Sequence, residues 1–313
     1  MRFAIFGAGG VGGYFGGRLQ AAGEDVAFVA RGAHLEALRT TGLRIESPLG
    51  DLHLSSVVAH DEPETIGPVD VVLLAVKTWQ LDDALAQIEP LLGEDTCIVP
   101  LLNGVEAAAH TAERVGAQRV VGGTCKIISH LGTPGTIVHV GSTPWIGFGE
   151  LDGTIRPRGE ALKAALKNAG VAARLSDAIE SLVWDKLVFV ASVGGVGAMC
   201  RVPIGAFRDV EPTRRTMHAA MLEIVEVARA RGVDLDASAA ERAMQFVDAL
   251  PYEGTSSLQR DIAAGRRSEL DAWTGAVVRL GRAAGVATPV NDVVYAALLP
   301  LERAATEAAP VTR

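Results

Sequence analysis

The sequence predicts an α/β domain built on a parallel sheet over residues 1–174, followed by an all-α domain over residues 175–313. Three observations predict this. Apolar runs of strand length alternate with helical periodicity through the first half, as βαβ units require. A glycine-rich turn joins the first run to the first helix. Beyond about Leu175 the strand signal gives out and only helical stripes recur. A length of 313 residues also exceeds what one core organises comfortably.

Arg2–Phe6 is a short apolar run that passes into Gly7-Ala8-Gly9-Gly10-Val11-Gly12-Gly13, after which Val11, Phe15, Leu19 and Ala22 fall at helical spacing. Val26–Ala30 follows Gly23 as a second strand, completing a parallel βαβ pair. Val69–Val76 is apolar on both faces, as a strand covered on both sides must be. Leu81, Ala84, Leu85, Ile88 and Leu92 predict a helix stopping at Gly93, and Thr96–Leu102 the next buried strand. Between Arg119 and Phe148 the pattern turns β-rich, with Ile137–Val140 and Trp145–Phe148 as two antiparallel strands. Pro157–Ala169 reads as a helix ending at Gly170. In the second domain Met217, Met221, Ile224, Val225 and Ala228 mark one helix, and Trp273, Val277 and Leu280 another. Thr288-Pro289 supplies the N-cap and first turn of the last.

Composition narrows the function. Hydrophobic residues make up 49% and charged residues 21%, which suits a packed interior rather than a disordered chain. A net charge of -8 leaves no basic stripe for a phosphate backbone, so no nucleic-acid partner is expected. Cys97, Cys125 and Cys200 are odd in number and form no CxxC pair, which points to a reducing, cytoplasmic compartment. The N-terminus reads as strand and loop, not a secretory signal, and the longest apolar run, Leu187–Cys200, is shorter than a bilayer span. No membrane association is expected. The histidines show no HxxxH spacing and the acids no ligand cluster, so no metal is expected.

Gly7, Gly9 and Gly12 stand in GxGxxG register between a strand and a helix, where bare backbone can approach a pyrophosphate at a helix N-terminus. This is a Rossmann-type dinucleotide site, with Gly7, Ala8, Gly9, Gly10, Val11 and Gly12 as its turn. Sites for NAD usually place Asp or Glu at the end of the second strand; here Ala30 is followed by Arg31, which suits the 2′-phosphate of NADP. Glu24 and Asp25 lie before that strand, at its other end.

Reduction of a carbonyl by a nicotinamide needs a proton for the developing alkoxide, and a lysine can supply proton and positive charge together. Lys77 follows the strand Val69–Val76 and Asn103-Gly104 follows Thr96–Leu102, both at carboxyl ends where open sheets bind ligands. Lys186 sits in an apolar segment, Trp184-Asp185-Lys186-Leu187. Glu269, on an expected helix and flanked by charges, reads by itself as a surface carboxylate. Thr255-Ser256-Ser257 resembles a helix start whose free N–H groups could hold a substrate carboxylate.

Taken together, Gly7–Gly12, Leu74–Gln80, Leu102-Asn103-Gly104, Trp184–Leu187, Thr255–Gln259 and Arg266–Asp271 resemble the 2-dehydropantoate 2-reductase (ketopantoate reductase) family over nearly the whole chain. The resemblance implies reduction of 2-dehydropantoate to pantoate by NADPH, a step toward pantothenate and coenzyme A. It implies Lys186 as general acid on the ketone oxygen and Glu269 as a carboxylate acting on substrate or lysine. It implies Ser257 as a substrate ligand, Asn103 and Lys77 beside nicotinamide and substrate, and Arg31 on the cofactor phosphate. The chain departs from the family pattern at Val190 and Gly194, where asparagines are usual one and two turns after the lysine. Ser192 cannot replace them, because six residues along a helix place it roughly opposite Lys186. The missing amides leave three readings: ketopantoate reductase, a reductase of another branched 2-oxo acid, and a non-catalytic NADPH-binding sensor. A 3-hydroxyacid or polyol-phosphate dehydrogenase fits less well, since the Ser-Ser to Glu269 segment argues against it. The apolar helices of the second domain suit a homodimer.

Overall fold

The computed structural model describes residues 1–308. The chain divides into two compact units, one of residues 1–102 and 107–179 and the other of residues 103–106 and 180–313. The tetrapeptide Asn103–Glu106 thus packs with the helical unit although both its flanks belong to the first.

The first unit opens with β1 (Arg2–Phe6), α1 (Gly10–Ala21), β2 (Asp25–Val29) and α2 (Gly32–Thr41). Three short strands follow: β3 (Leu43–Glu46), β4 (Leu52–Leu54) and β5 (Val58–His60). Then come β6 (Val69–Leu74), α3 (Leu81–Ala86), β7 (Leu92–Pro100) and α4 (Ala107–Val115). The unit ends with β8 (Val121–Leu131), β9 (Thr136–Glu150), α5 (Pro157–Asn168) and β10 (Ala172–Leu175).

One sheet runs β5-β2-β1-β6-β7 with every pairing parallel, the strand order of a doubly wound nucleotide-binding domain. The second sheet runs β10-β9-β3-β4, and β8 pairs antiparallel with β9. Helix α1 lies between the two. A Cβ at Gly16 would meet Ile5 and Phe28 of the first sheet at 2.6 Å, and one at Gly13 or Gly17 would meet Ile137 or Ile45 of the second at 2.7 Å. Glycines on both faces let one helix touch two sheets.

Three local expectations are corrected. The helix expected from Leu81 to Gly93 ends at Ala86, and Glu89–Leu91 continues as a 3-10 turn before β7 begins at Leu92. Pro90 lacks the N–H that would bond to Ala86 and its ring clashes there. The two strands expected at Ile137–Val140 and Trp145–Phe148 are one strand, β9, and they pair with β8 rather than with each other. The break is a bulge: from Lys126 to Ile128 on β8 is two residues, while their partners Trp145 and Val140 are five apart. Asp25, expected in a turn, is the first residue of β2.

The second unit is formed by α6 (Ile179–Cys200), α7 (Ile204–Arg208), α8 (Glu211–Ala230), α9 (Ala239–Asp248), α10 (Ser257–Ala263), α11 (Ala276–Ala284) and α12 (Pro289–Ala308). A π-helical turn at Asp271–Gly275 leads into α11. Helix α6 has 22 residues, long enough to reach across a bilayer, so the shorter run seen in the sequence understates it. Of its most apolar window, 61% is buried, and residues 191–198 are buried on every side. It is the core helix of this unit, packed with Met217, Met221 and Ile224 of α8, Val294 and Leu298 of α12, and Trp273.

Candidate active site

In the first unit the chain turns from β1 into α1 through Gly7, whose φ of +99° is open to glycine and whose Cβ would lie 2.8 Å from the Ala75 carbonyl oxygen. A Cβ at Gly12 would fall 2.1 Å from the Gly7 carbonyl oxygen, so the turn can close on the helix only without side chains. A Cβ at Gly9 would meet nothing within 4 Å, so the outer side of the turn is open. Helix α1 has no acidic residue in its first turn and no side-chain cap, which leaves its N-terminal N–H groups available to an anion. Ala8 lies in the turn, and Gly10 and Val11 are the first two residues of α1.

His34 braces this turn. The Gly135 N–H donates to His34 Nδ1 at 3.0 Å, which makes Nε2 the protonated nitrogen, and Nε2 donates to the Ala8 carbonyl at 2.8 Å. Burial pushes the His34 imidazole below its ordinary value, with the bond to Ala8 pulling the other way.

Arg31 ends the β2 segment as the N-cap residue of α2, exposed, and its guanidinium donates to Gln87 Oε1 at 2.9 Å. Lys77 is exposed beyond the end of β6, with Nζ 5.7 Å from the centre of the Trp79 ring. Its backbone N–H is held by Gln80 Oε1 at 3.1 Å.

In the second unit three of the expected residues meet. Lys186, half-buried on α6, donates from Nζ to Asn103 Oδ1 at 2.7 Å. Asn103 Nδ2 donates to Glu269 Oε2 at 2.8 Å. The amide therefore links ammonium to carboxylate, oxygen toward the cation and NH2 toward the anion. Flipping it would set donor against donor and acceptor against acceptor.

Glu269 departs from expectation twice. It lies in the bend just before the π-turn rather than on a helix, and it is only 6% exposed. Its backbone is fixed on both sides. Glu302 accepts the Ser268 N–H at 3.1 and 3.0 Å and also the Ser268 hydroxyl, while Ser268 Oγ accepts the Leu270 N–H at 3.3 Å. The Glu269 carbonyl receives the Trp273 N–H at 3.0 Å. Sequence reasoning missed Glu302, yet a signal was there: it falls on the same buried stripe of α12 as Val294, Leu298 and Ala305.

Asn103 is placed by its own segment. Gly104, at φ +95°, would set a Cβ 2.7 Å from the Ala272 carbonyl oxygen, and Glu106 accepts from Arg279 at 2.9 Å. Arg279 also donates to Asp271 at 2.9 Å, and Tyr295 donates its hydroxyl to the same carboxylate at 2.7 Å.

Ser256, not Ser257, caps α10, accepting the Gln259 N–H at 3.0 Å. Ser257 is the first helical residue, half-buried, and forms no hydrogen bond to Lys186, Asn103 or Glu269. Val190 is half-buried against the core of the helical unit. At Gly194 a Cβ would lie 2.9 Å from the Trp273 ring, so the indole occupies the space an amide side chain would need. Ser192 is buried.

What the arrangement can do chemically is bounded by its donors. Lys186 uses one of its three protons on Asn103, and Glu269 retains a free oxygen, so a cationic donor and a carboxylate acceptor stand within one amide of each other. Such a pair can protonate and orient an oxygen acquiring negative charge.

Comparison with known proteins agrees in both units. Residues 3–153 match the ketopantoate reductase PanE/ApbA family, and residues 178–302 match its C-terminal domain. YkpB of Bacillus subtilis, an uncharacterised oxidoreductase, is 32% identical over 303 residues, covering 95% of this chain and 98% of its own. The 2-dehydropantoate 2-reductase of Mesorhizobium japonicum is 33% identical over 317 residues, covering 95% and 96%. The crystal structure of 2-dehydropantoate 2-reductase from Geobacter metallireducens superposes with a TM-score of 0.90 at 32% identity, covering 96% of this chain and 99% of that one.

Proposed function

The chain belongs to the ketopantoate reductase family, and on that premise we propose that it is a cytoplasmic enzyme reducing 2-dehydropantoate to pantoate with NADPH, toward pantothenate and coenzyme A. The observation that carries the reading is the hydrogen-bonded series Lys186–Asn103–Glu269, which joins three residues far apart in sequence.

The glycine turn fits a dinucleotide. Gly7 and Gly12 close it without side chains, Gly9 leaves it open outward, and the bare N-terminus of α1 favours a pyrophosphate. Arg31, held by Gln87, is the ligand for a 2′-phosphate, and the chain leaves β2 through Val29 and Ala30 with no acidic residue in that stretch to prefer a ribose hydroxyl. Bound there, NADPH supplies the hydride.

Lys186 donates the proton to the ketone oxygen as charge develops on it. Asn103 holds the ammonium in register, and Glu269 orients the Asn103 amide and accepts from a substrate hydroxyl. Ser257 at the start of α10 donates to the substrate carboxylate, and Lys77 supplies a second positive charge for it.

A second reading rests on α6. Val190 and Gly194 follow Lys186 on one face of α6, and Trp273 fills the space beside Gly194, so these two positions supply no polar side chain. This favours a 2-oxo acid with an apolar branched chain over one carrying a hydroxyl.

The test is steady-state turnover of a panel of 2-oxo acids with NADPH and NADH side by side. 2-Dehydropantoate with NADPH is expected to give the highest kcat/KM. A higher value for an unhydroxylated branched acid selects the second reading, and tight NADPH binding without turnover of any acid identifies a sensor.

A further inference from the structure

Glu302 is a carboxylate only 8% exposed, on the buried stripe of α12 formed with Val294, Leu298 and Ala305. Removing a carboxylate from water is unfavourable, and an apolar side chain of similar volume at such a place is commonly as stabilising or more so. The Glu302 carboxylate is held by the segment just before Glu269. Its partners are the N–H and hydroxyl of one residue, Ser268.

Ser268 immediately precedes Glu269, and its hydroxyl oxygen accepts the N–H of Leu270 on the far side. The amides on either side of Glu269 are therefore pinned to a single carboxylate, directly at 268 and through the hydroxyl at 270. From Glu269 the bonds continue to Asn103 and Lys186. A leucine or methionine at 302 could fill the same volume but could hold neither donor.

We propose that Glu302, acting through Ser268, is a positioning residue that fixes the Glu269 carboxylate on Asn103 and thereby sets the Lys186 ammonium for proton donation. The proposal rests on the reading of Lys186 and Glu269 as the reacting groups. Glu302 touches neither substrate nor cofactor in this account.

Glu302→Met tests it, because the thioether keeps the packing and removes the acceptor. The variant is expected to melt close to wild type, to lose about tenfold or more in kcat, and to change KM for the 2-oxo acid less than about threefold. Glu223 provides the control. It is a second buried carboxylate, on α8, that accepts the Val290 and Asn291 N–H groups at the other end of α12, at 2.8 and 3.0 Å. Glu223→Gln is expected to lower the melting temperature while kcat stays within about twofold of wild type.

A folded Glu302→Met enzyme with wild-type kcat overturns the proposal, as does an equal loss of kcat in Glu223→Gln. If Glu302→Met does not fold, Ser268→Ala and Ser268→Thr decide. The alanine is expected to lower kcat severalfold and the threonine to restore it, and an alanine variant with wild-type kcat overturns the proposal. Should the wild-type chain turn over no 2-oxo acid, the functional reading fails by itself. Crystal structures of wild type and Glu302→Met, or of Ser268→Ala where the former does not fold, then decide the clamp: it requires the bond between Glu269 and Asn103 to break in the variant, and its retention refutes it.

Discussion

Asn103 has one workable orientation, because its amide lies between a cation and a carboxylate. Replacing it with alanine leaves Lys186 and the buried Glu269 without that partner. Asn103→Ala is expected to lower kcat/KM by about a hundredfold, on the order of 3 kcal/mol of transition-state stabilisation. Steady-state kinetics would show it, and a loss under about threefold would remove Asn103 from the proton-donating group. Arg31 is the proposed ligand of a 2′-phosphate. Arg31→Ala is expected to raise KM for NADPH by roughly tenfold or more and to leave KM for NADH nearly unchanged. These residues were legible for different reasons. Lys186 stood out as a charge in an apolar run and Arg31 by its place after a strand. Glu269 did not, because Arg267, Ser268 and Asp271 around it read as a solvated surface, and nothing local shows that Glu302 draws that segment inward.

The π-turn at Asp271–Gly275 is the element that packs against α6 at Gly194. Its wider turn is closed by the Gly275 N–H donating to the Leu270 carbonyl at 3.0 Å, and it lays Trp273 over Gly194. Adding a methyl there forces the indole or the helix to shift. Gly194→Ala is expected to destabilise the protein by about 1–3 kcal/mol, less any gain in helix propensity, as thermal unfolding would report. The glycine turn has its own sensitive point in His34. Since its folded pKa lies below the ordinary 6.5, the unfolded chain binds the proton more readily. The stability it contributes is complete above that pH and is lost as pH falls through the lowered value. Protonation would also put a hydrogen on Nδ1 against the Gly135 N–H. Between about pH 7.5 and 5.5 the melting temperature of wild type is expected to drop more than that of His34→Gln, whose amide keeps one donor and one acceptor without titrating. Equal drops would exclude His34 as the source. The turn was legible as a motif, but its brace was not, because His34 reaches Gly135 across 101 residues.

The chain reads clearly where strands and helices carry their own periodicity. The parallel strands β1, β2, β6 and β7 are long apolar runs, and the helices of the second unit show continuous stripes. Much of the second sheet was not visible, because β3 and β4 have four and three residues, and β3, which carries β4, pairs with β9 some ninety residues away. The unit division was only partly visible. A break near Leu175 marks the end of β10, four residues before the first unit ends, while nothing in composition shows that Asn103–Glu106 leaves one unit to pack with the other. That excursion carries Asn103 to Lys186 and Glu269. Whether those three act together on a ketone is decided by pre-steady-state oxidation of NADPH by Lys186→Ala beside wild type, at saturating 2-oxo acid. Hydride transfer in the variant is expected to be slower by about 10²–10⁴-fold, with NADPH affinity unchanged. A variant that transfers hydride within a few-fold of wild type would contradict it.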